Sequence, residues 1–206
     1  MATSSTSSLA GARGRPRSFD VDVVVEQVLA TFWAQGYEAT SLEDLVAATG
    51  LSASSLYAAY GSKRGLFQAA VNRYEHHMGR ALDSLADGRD GLDGVVRFVE
   101  WVRVGIGSGT QPPGCLIVNT RVEFAADDAD IAEATSRYRD RVRRSLHVAL
   151  TRAERSGEIA VRTASNRSLL VQAALFGALV TARSGAVDDA DRMLRGLIVE
   201  IRRWRA

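Results

Sequence analysis

Of its 206 residues the chain spends one on lysine, one on cysteine and three on proline. The single thiol, Cys115, excludes an internal disulfide and a multi-cysteine zinc site. The prolines (Pro16, Pro112, Pro113) interrupt no long periodic segment. No apolar run approaches the ~20 residues that cross a bilayer, so no membrane partner is expected. Met1 to Ala12 has no apolar stretch of signal-peptide kind, which predicts a cytoplasmic, reduced protein. Of the three histidines, His76 and His77 are adjacent and project about 100° apart on a helix. They cannot chelate one ion, and no metal site is expected. No Gly-x-Ser-x-Gly elbow, phosphate loop or dinucleotide fingerprint stands in a strand-turn-helix context, so neither an enzyme nor a cofactor is indicated.

The chain is 46% hydrophobic and 24% charged, an ordinary composition able to bury a core. Apolar residues recur at helical spacing and strand-like alternation is missing, which predicts an all-α fold of about nine helices. A polar stretch, 1–17, ends in Gly14-Arg15-Pro16-Arg17. Asp20 is a helix N-cap, with Phe19 and Val24 spaced as a hydrophobic staple. Val21, Val25, Val28 and Phe32 share one face of the first helix, with Val24, Leu29 and Trp33 beside it, and Gly36 stops it. Ser41 caps a short second helix, Ser52 a third over Ala53 to Tyr60, and Ser62 a longer fourth. Further helices are expected over about Leu92–Gly105, Cys115–Phe124, Asp127–Ser156, Ser165–Arg183 and Asp188–Arg205. The resulting division is an arm (1–17), a three-helix unit (18–64), a connecting helix (65–86) and a C-terminal domain (87–206).

Three helices in about forty residues, the last two short and joined at Thr49-Gly50-Leu51, match the helix-turn-helix plan. Gly50 supplies the left-handed backbone that a sharp turn needs. Leu45, Val46 and Leu56 can pack on Val28 and Phe32, leaving Ser52, Ala53, Ser54, Ser55 and Tyr57 facing outward. Small polar side chains on a short projecting helix suit close approach to a major-groove floor; a plain solvated helix is the other reading. Arg15-Pro16-Arg17 resembles the core of AT-hook segments, in which extended arginines lie in a narrow A·T-rich minor groove. A solubilising tail is its alternative.

The residues Phe32-Trp33-Ala34-Gln35-Gly36-Tyr37-Glu38-Ala39-Thr40-Ser41, Leu45-Val46-Ala47-Ala48-Thr49-Gly50 and Ser55-Leu56-Tyr57-Ala58-Ala59-Tyr60-Gly61-Ser62-Lys63 resemble the tetracycline-repressor (TetR) family from Phe19 to Phe67. The resemblance implies a homodimeric transcriptional regulator, most often a repressor, that binds double-stranded palindromic operator DNA and is released by a small-molecule effector. It places Thr40, Ser41, Tyr57 and Lys63 on phosphates, and Ser52, Ala53, Ser54 and Ser55 in the groove with Ser54 and Ser55 reading bases. Ala58 and Ala59 depart from the aromatic and histidine that many members carry there, which leaves the operator sequence open.

For dimerisation, Leu169, Ala173, Phe176, Gly177 and Val180 on the penultimate helix and Leu194, Leu197, Ile198 and Ile201 on the last are the candidates, the alternative being an intrachain core. A pocket among the C-terminal helices is expected to use Phe98, Trp101, Val102, Cys115, Phe124, Tyr138, Val142, Leu175 and Phe176, with Arg121, Glu123 and His147 as polar members. Mixed aromatic and aliphatic lining suits a small, partly apolar ligand. Cys115 sits in Gly114-Cys115-Leu116-Ile117-Val118-Asn119, which resembles a segment of one family branch with electrophile- or metal-responsive members. A thiol at a helix N-terminus has a lowered pKa, so an electrophile sensor is one alternative, and packing filler is the other. A small-molecule binding protein that does not bind an operator is the remaining competitor.

Overall fold

The computed structural model describes residues 20–109, 111–123 and 129–206, the side chains of 121–123 and 129–131 excepted. Among these residues the chain forms nine α-helices: α1 (Val21–Gln35), α2 (Leu42–Thr49), α3 (Ala53–Tyr60), α4 (Lys63–Asp87), α5 (Leu92–Gly107), α6 (Leu116–Glu123), α7 (Ala129–Arg155), α8 (Ala164–Arg183) and α9 (Val187–Arg203). The arm residues Arg15 and Arg17, the Phe19 staple and the pocket candidate Phe124 lie outside the described residues, as do the side chains of Arg121 and Glu123.

Short polar residues start the first four helices. The side chains of Asp20, Ser41, Ser52 and Ser62 accept hydrogen bonds from the backbone N–H groups of Asp22, Asp44, Ser55 and Gly65. Gly50 takes the left-handed conformation at φ 66°, ψ 8° and its N–H closes on the Val46 carbonyl, turning the chain sharply from α2 into α3. An aromatic cluster joins α1, the following turn and α4. Phe67 meets Phe32 edge-on at 5.1 Å and Tyr37 at 4.9 Å, while Tyr37 stacks on Phe32 at 5.9 Å. Leu45 and Leu56, fully buried, complete this small core from α2 and α3.

The larger bundle packs α8 between α7 and α9, with α5 against α9 and α4 against α7. Two of its caps come from distant sequence. Glu154 of α7 accepts from the N–H of Thr163 and of Ala164, at 2.6 Å for the latter, and so caps α8. Glu158 accepts from the Leu92 N–H at 3.2 Å at the start of α5.

Three of the nine dimer candidates belong to the intrachain core. Leu194, Ile198 and Ile201 are buried within the single chain, packed where α9 meets α8 and α5, which leaves Leu194 and Ile201 no surface for a partner and Ile198 very little. Leu197 is half-buried against the same core, and Phe176 lines a cavity described below.

The cap of α2 yields a direct test. Ser41 donates to the Asp44 carboxylate, whose other bond comes from the Ser41 N–H; both hold the Asp44 carboxyl below its usual pKa. A depressed carboxyl stabilises the fold above its unfolded pKa of ~3.9 and loses that contribution as pH falls through the lower folded value. Ser41→Ala is expected to cost about 1 kcal/mol in urea unfolding near neutral pH, and the gap between the two proteins is expected to narrow below about pH 4 without closing, because the cap bond from the Asp44 N–H does not titrate.

Candidate nucleic-acid interface and effector cavity

Helix α3 sets five small residues, all alanine or serine, and two tyrosines around one buried anchor, Leu56. Ser52, Ser54, Tyr57 and Ala58 are exposed, and Ala53 and Ser55 half-buried. The Ser52 hydroxyl lies 3.0 Å from that of Ser54 and 2.9 Å from that of Ser55, so the three hydroxyls form one cluster at the start of the helix. No side chain of α3 carries a charge, which leaves its surface free of the carboxylates that repel a phosphate backbone.

Two helix N-termini flank α3, and they differ. α4 has no acid in its first turn and opens with Lys63, whose ammonium donates to the Glu38 carbonyl at 3.4 Å and sits 4.5 Å over the Tyr37 ring. Its helix dipole and its lysine therefore carry the same sign. α2 carries Glu43 and Asp44 in its first turn, and the Ser41 hydroxyl is engaged by Asp44. An anion is thus favoured at α4 and opposed at α2.

Thr40 departs from the expectation. Its side chain is 1% exposed and its hydroxyl donates to the Gly36 carbonyl. The residue locks the turn between α1 and α2 and has no side-chain surface to offer a phosphate. A hydroxyl residue beside a helix cap looks exposed in sequence, and only the path of the turn buries it.

Below this unit a cavity opens between α1, α4, α5, α7 and α8. Its walls include Phe98, Trp101, Val102, Tyr138, Val142, Leu175 and Phe176, as the helical periodicity suggests. Trp33, Tyr74 and Met78, from α1 and α4, complete it together with Gln111, Pro112 and Gly114 from the loop before α6. Its free volume is about 60 Å³, room for a few waters or one compact ligand. Among the described residues none of the lining side chains is charged.

His147 is not part of this cavity. It is exposed on α7 beside Val148, Thr151, Arg152 and Arg155, because the helical face that buries Val142, Leu146 and Leu150 turns it outward. Cys115 lies behind the cavity wall: fully buried, it accepts from the Tyr74 hydroxyl at 3.0 Å and has the Tyr138 hydroxyl at 4.0 Å. Burial pushes its thiol pKa up, and this outweighs the hydrogen bonds from Tyr74 and the first turn of α6 that pull it down. The expected lowering at a helix N-terminus is therefore reversed. Burial likewise holds the Tyr74 and Tyr138 hydroxyls in the neutral form.

A polar contact ties α8 to the three-helix unit. Arg183, in the last turn of α8, donates to the carbonyls of Trp33 and Ala34 at 3.1 and 2.6 Å, at the C-terminal end of α1. Gly114 fits beneath it: a Cβ there would lie 3.0 Å from Cβ of Arg183 and 3.1 Å from the Leu179 carbonyl oxygen.

Residues 26–70 match the family model described as bacterial regulatory proteins, tetR family. The HTH-type transcriptional repressor ComR of Escherichia coli (strain K12) is 29% identical over 99% of this chain and 98% of its own length. The uncharacterised HTH-type transcriptional regulator YezE of Bacillus subtilis (strain 168) is 30% identical over 71% of this chain and 76% of its own. Among solved structures, a cysteine mutant of the TetR family transcriptional regulator CifR, complexed with 26-bp double-strand operator DNA, superposes with a TM-score of 0.80. It is 29% identical and covers 94% of this chain and 100% of its own. The helix-turn-helix built on the Phe32–Tyr37–Phe67 cluster, the nine-helix architecture and these similarities agree, and the chain belongs to the TetR family of bacterial regulatory proteins.

Proposed function

We propose that the protein is a homodimeric repressor that holds a palindromic operator with two α3 helices and releases it when a small molecule fills the cavity. Residues 18–64 are the DNA-binding unit, 65–86 the connecting segment of α4, and 87–206 the domain for ligand and dimer. The arm 1–17 adds Arg15 and Arg17 in an adjacent A·T-rich minor groove, where the negative potential is strongest. The protein acts by binding alone, in the cytoplasm beside its DNA.

The observation that carries this reading is the uncharged, serine-bearing α3 followed within three residues by a helix start that holds a lysine and no acid. Ser54 and Ser55 are the base readers; Tyr57, Lys63 and the N-terminus of α4 hold phosphates, with Ser52 and Ala53 close to the groove floor. Phosphate contacts of this kind set affinity and orientation, while groove contacts set sequence.

One α3 reads only a few base pairs, and two of them about 34–36 Å apart read a palindrome. The surface for pairing is an apolar strip outside the intrachain core. Leu169 (47% exposed), Leu170 (61%) and Val180 (46%) project from α8, and Met193 (43%) from α9. Ala173 and Gly177 lie between them and permit close approach; a Cβ on Gly177 would meet only the Met193 methyl, at 3.6 Å. A second copy related by a two-fold axis covers this strip with the same strip.

Selection from random duplexes is expected to return a palindrome; retained small-molecule binding with no palindrome selected would overturn the operator reading. Lys63→Ala is expected to weaken cognate and random duplex alike and to reduce the slope of log K against log salt by about one unit in fluorescence anisotropy. An unchanged slope removes Lys63 from the interface. Ser54→Ala is expected to cost ~1–3 kcal/mol on the cognate site and little on scrambled DNA. Val180→Arg is expected to halve the mass seen in sedimentation equilibrium and to abolish palindrome binding while the helical circular dichroism persists.

A further inference from the structure

We propose that Ala58 is a specificity-determining residue of α3: in each half-site its methyl group packs against the C5-methyl of a thymine in the major groove. This deepens the regulator reading and rests on it, since it names the base chemistry that the recognition helix selects. The residue types on α3 lead to it. Over Ala53–Tyr60 the helix holds three alanines, two serines, two tyrosines and Leu56. Arginine and lysine, which fork onto guanine, are missing from it. So are asparagine and glutamine, which fork onto adenine, and the acids, which accept from cytosine. A hydroxyl pairs with donor and acceptor alike, so Ser54 and Ser55 narrow the choice of base without completing it. An alanine methyl is more selective, because thymine is the one base that shows a methyl in the major groove.

Position singles out Ala58 among the alanines. Leu56 is fully buried and fixes the inner face of α3. At about 100° per residue, Ser54 and Ala58, two residues to either side of Leu56, each point within about 20° of the opposite direction. Both are exposed, whereas Ala53 and Ala59 are half-buried. The hydroxyls at the helix start are held together. Ser52 accepts the Ser55 N–H at 3.2 Å, and its oxygen lies 3.0 and 2.9 Å from the hydroxyls of Ser54 and Ser55. One turn farther along the outermost line, Ala58 offers a methyl and no polar atom. A polar base edge pressed against it loses water and gains no hydrogen bond, which is unfavourable. A thymine methyl in the same place buries apolar surface against apolar surface, which is favourable.

The test starts from the palindrome that the full chain selects from random duplexes, with affinities read by fluorescence anisotropy. Each thymine is replaced in turn, symmetrically in both half-sites, by deoxyuridine, which keeps the base pair and removes the C5-methyl alone. At one of these positions the uracil duplex is expected to bind roughly 15-fold weaker, roughly fourfold for each lost methyl. At that position a 5-methylcytosine·guanine pair is expected to bind tighter than cytosine·guanine by a similar factor. Neither comparison needs a variant to fold. Uracil leaves the minor groove as it was, so a preference of Arg15 and Arg17 for A·T pairs does not enter the ratio. Ala58→Gly is expected to bring the thymine and uracil duplexes to equal affinity there. Ala59→Gly loosens the same helix but points within about 60° of Leu56, and is expected to keep the difference. Three results overturn the proposal: equal affinity for thymine and uracil at every position, a half-site selected without thymine, or a difference that survives Ala58→Gly wherever it occurs. So does its loss in Ala59→Gly as well. A palindrome with any of these results leaves the regulator reading standing; a selection that returns no palindrome overturns that reading and this proposal together.

Discussion

Phe32 and Trp33 are neighbours in sequence, Phe32 fully and Trp33 partly buried, and they pack in different places, so that one helix joins the core of the three-helix unit to the cavity wall. Consecutive helical residues project about 100° apart. Phe32 therefore enters the aromatic cluster under the helix-turn-helix, while Trp33 forms part of the cavity wall. Burying the Phe32 ring contributes roughly 1.5–3 kcal/mol, enough to hold α1 firmly against α4. The last-turn carbonyls of a helix lack intrahelical partners and carry partial negative charge. Two of them, on Trp33 and Ala34, receive the Arg183 guanidinium from α8. The end of α1 is thus held from three sides: by the small core, by the cavity wall and by the far end of the C-terminal bundle.

The N-terminal unit distributes its polar groups with a clear division of labour. Hydroxyls and carboxylates at Asp20, Ser41, Ser52 and Ser62 satisfy the backbone at helix starts. At α2 the cap is reinforced by an acid, which stabilises the helix and makes its N-terminus a poor seat for phosphate. At α4 the acid is absent, and the single lysine of the chain stands in the first turn. Lys63 is steadied by the Tyr37 ring and the Glu38 carbonyl, so part of the entropy that a long side chain loses on binding an anion is already spent in the free protein.

Local signals in the chain carry most of this fold. Helix starts follow from Ser41, Ser52 and Ser62, the turn at Gly50 from its left-handed backbone, and the cavity residues Phe98, Val102, Tyr138 and Val142 from helical spacing. What escapes a reading of spacing is partnership across the chain. Periodicity shows that α9 has an apolar face but not whether α8 and α5 or a second copy covers it, and for Leu194, Ile198 and Ile201 the answer is α8 and α5. Thr40 looks like a surface hydroxyl until the turn folds over it. Cys115 has the helix start that lowers a thiol pKa, yet the depth of its burial, which no local pattern encodes, reverses the sign. Trp33 did leave a trace: two bulky aromatics side by side cannot share one helix face, so the second needs a separate place to pack.

The size of the cavity bears on how a signal leaves it. Protein interiors are close-packed, so a ligand larger than the free space moves whole walls instead of compressing them. Here two walls, α1 and α4, are the helices against which α2 and α3 pack. A ligand alters DNA affinity only by the difference in its own affinity for the two arrangements of those walls. Coupling of about 1–3 kcal/mol corresponds to roughly 5–150-fold in operator affinity, and a single buried hydrogen bond made in one arrangement and lost in the other accounts for the lower part of that range. Contact with α1 itself is the shortest route for such a difference, because Trp33 needs no intermediary to reach the helix-turn-helix. The Arg183 bonds oppose such a change, because any rotation of α1 about its axis must stretch them.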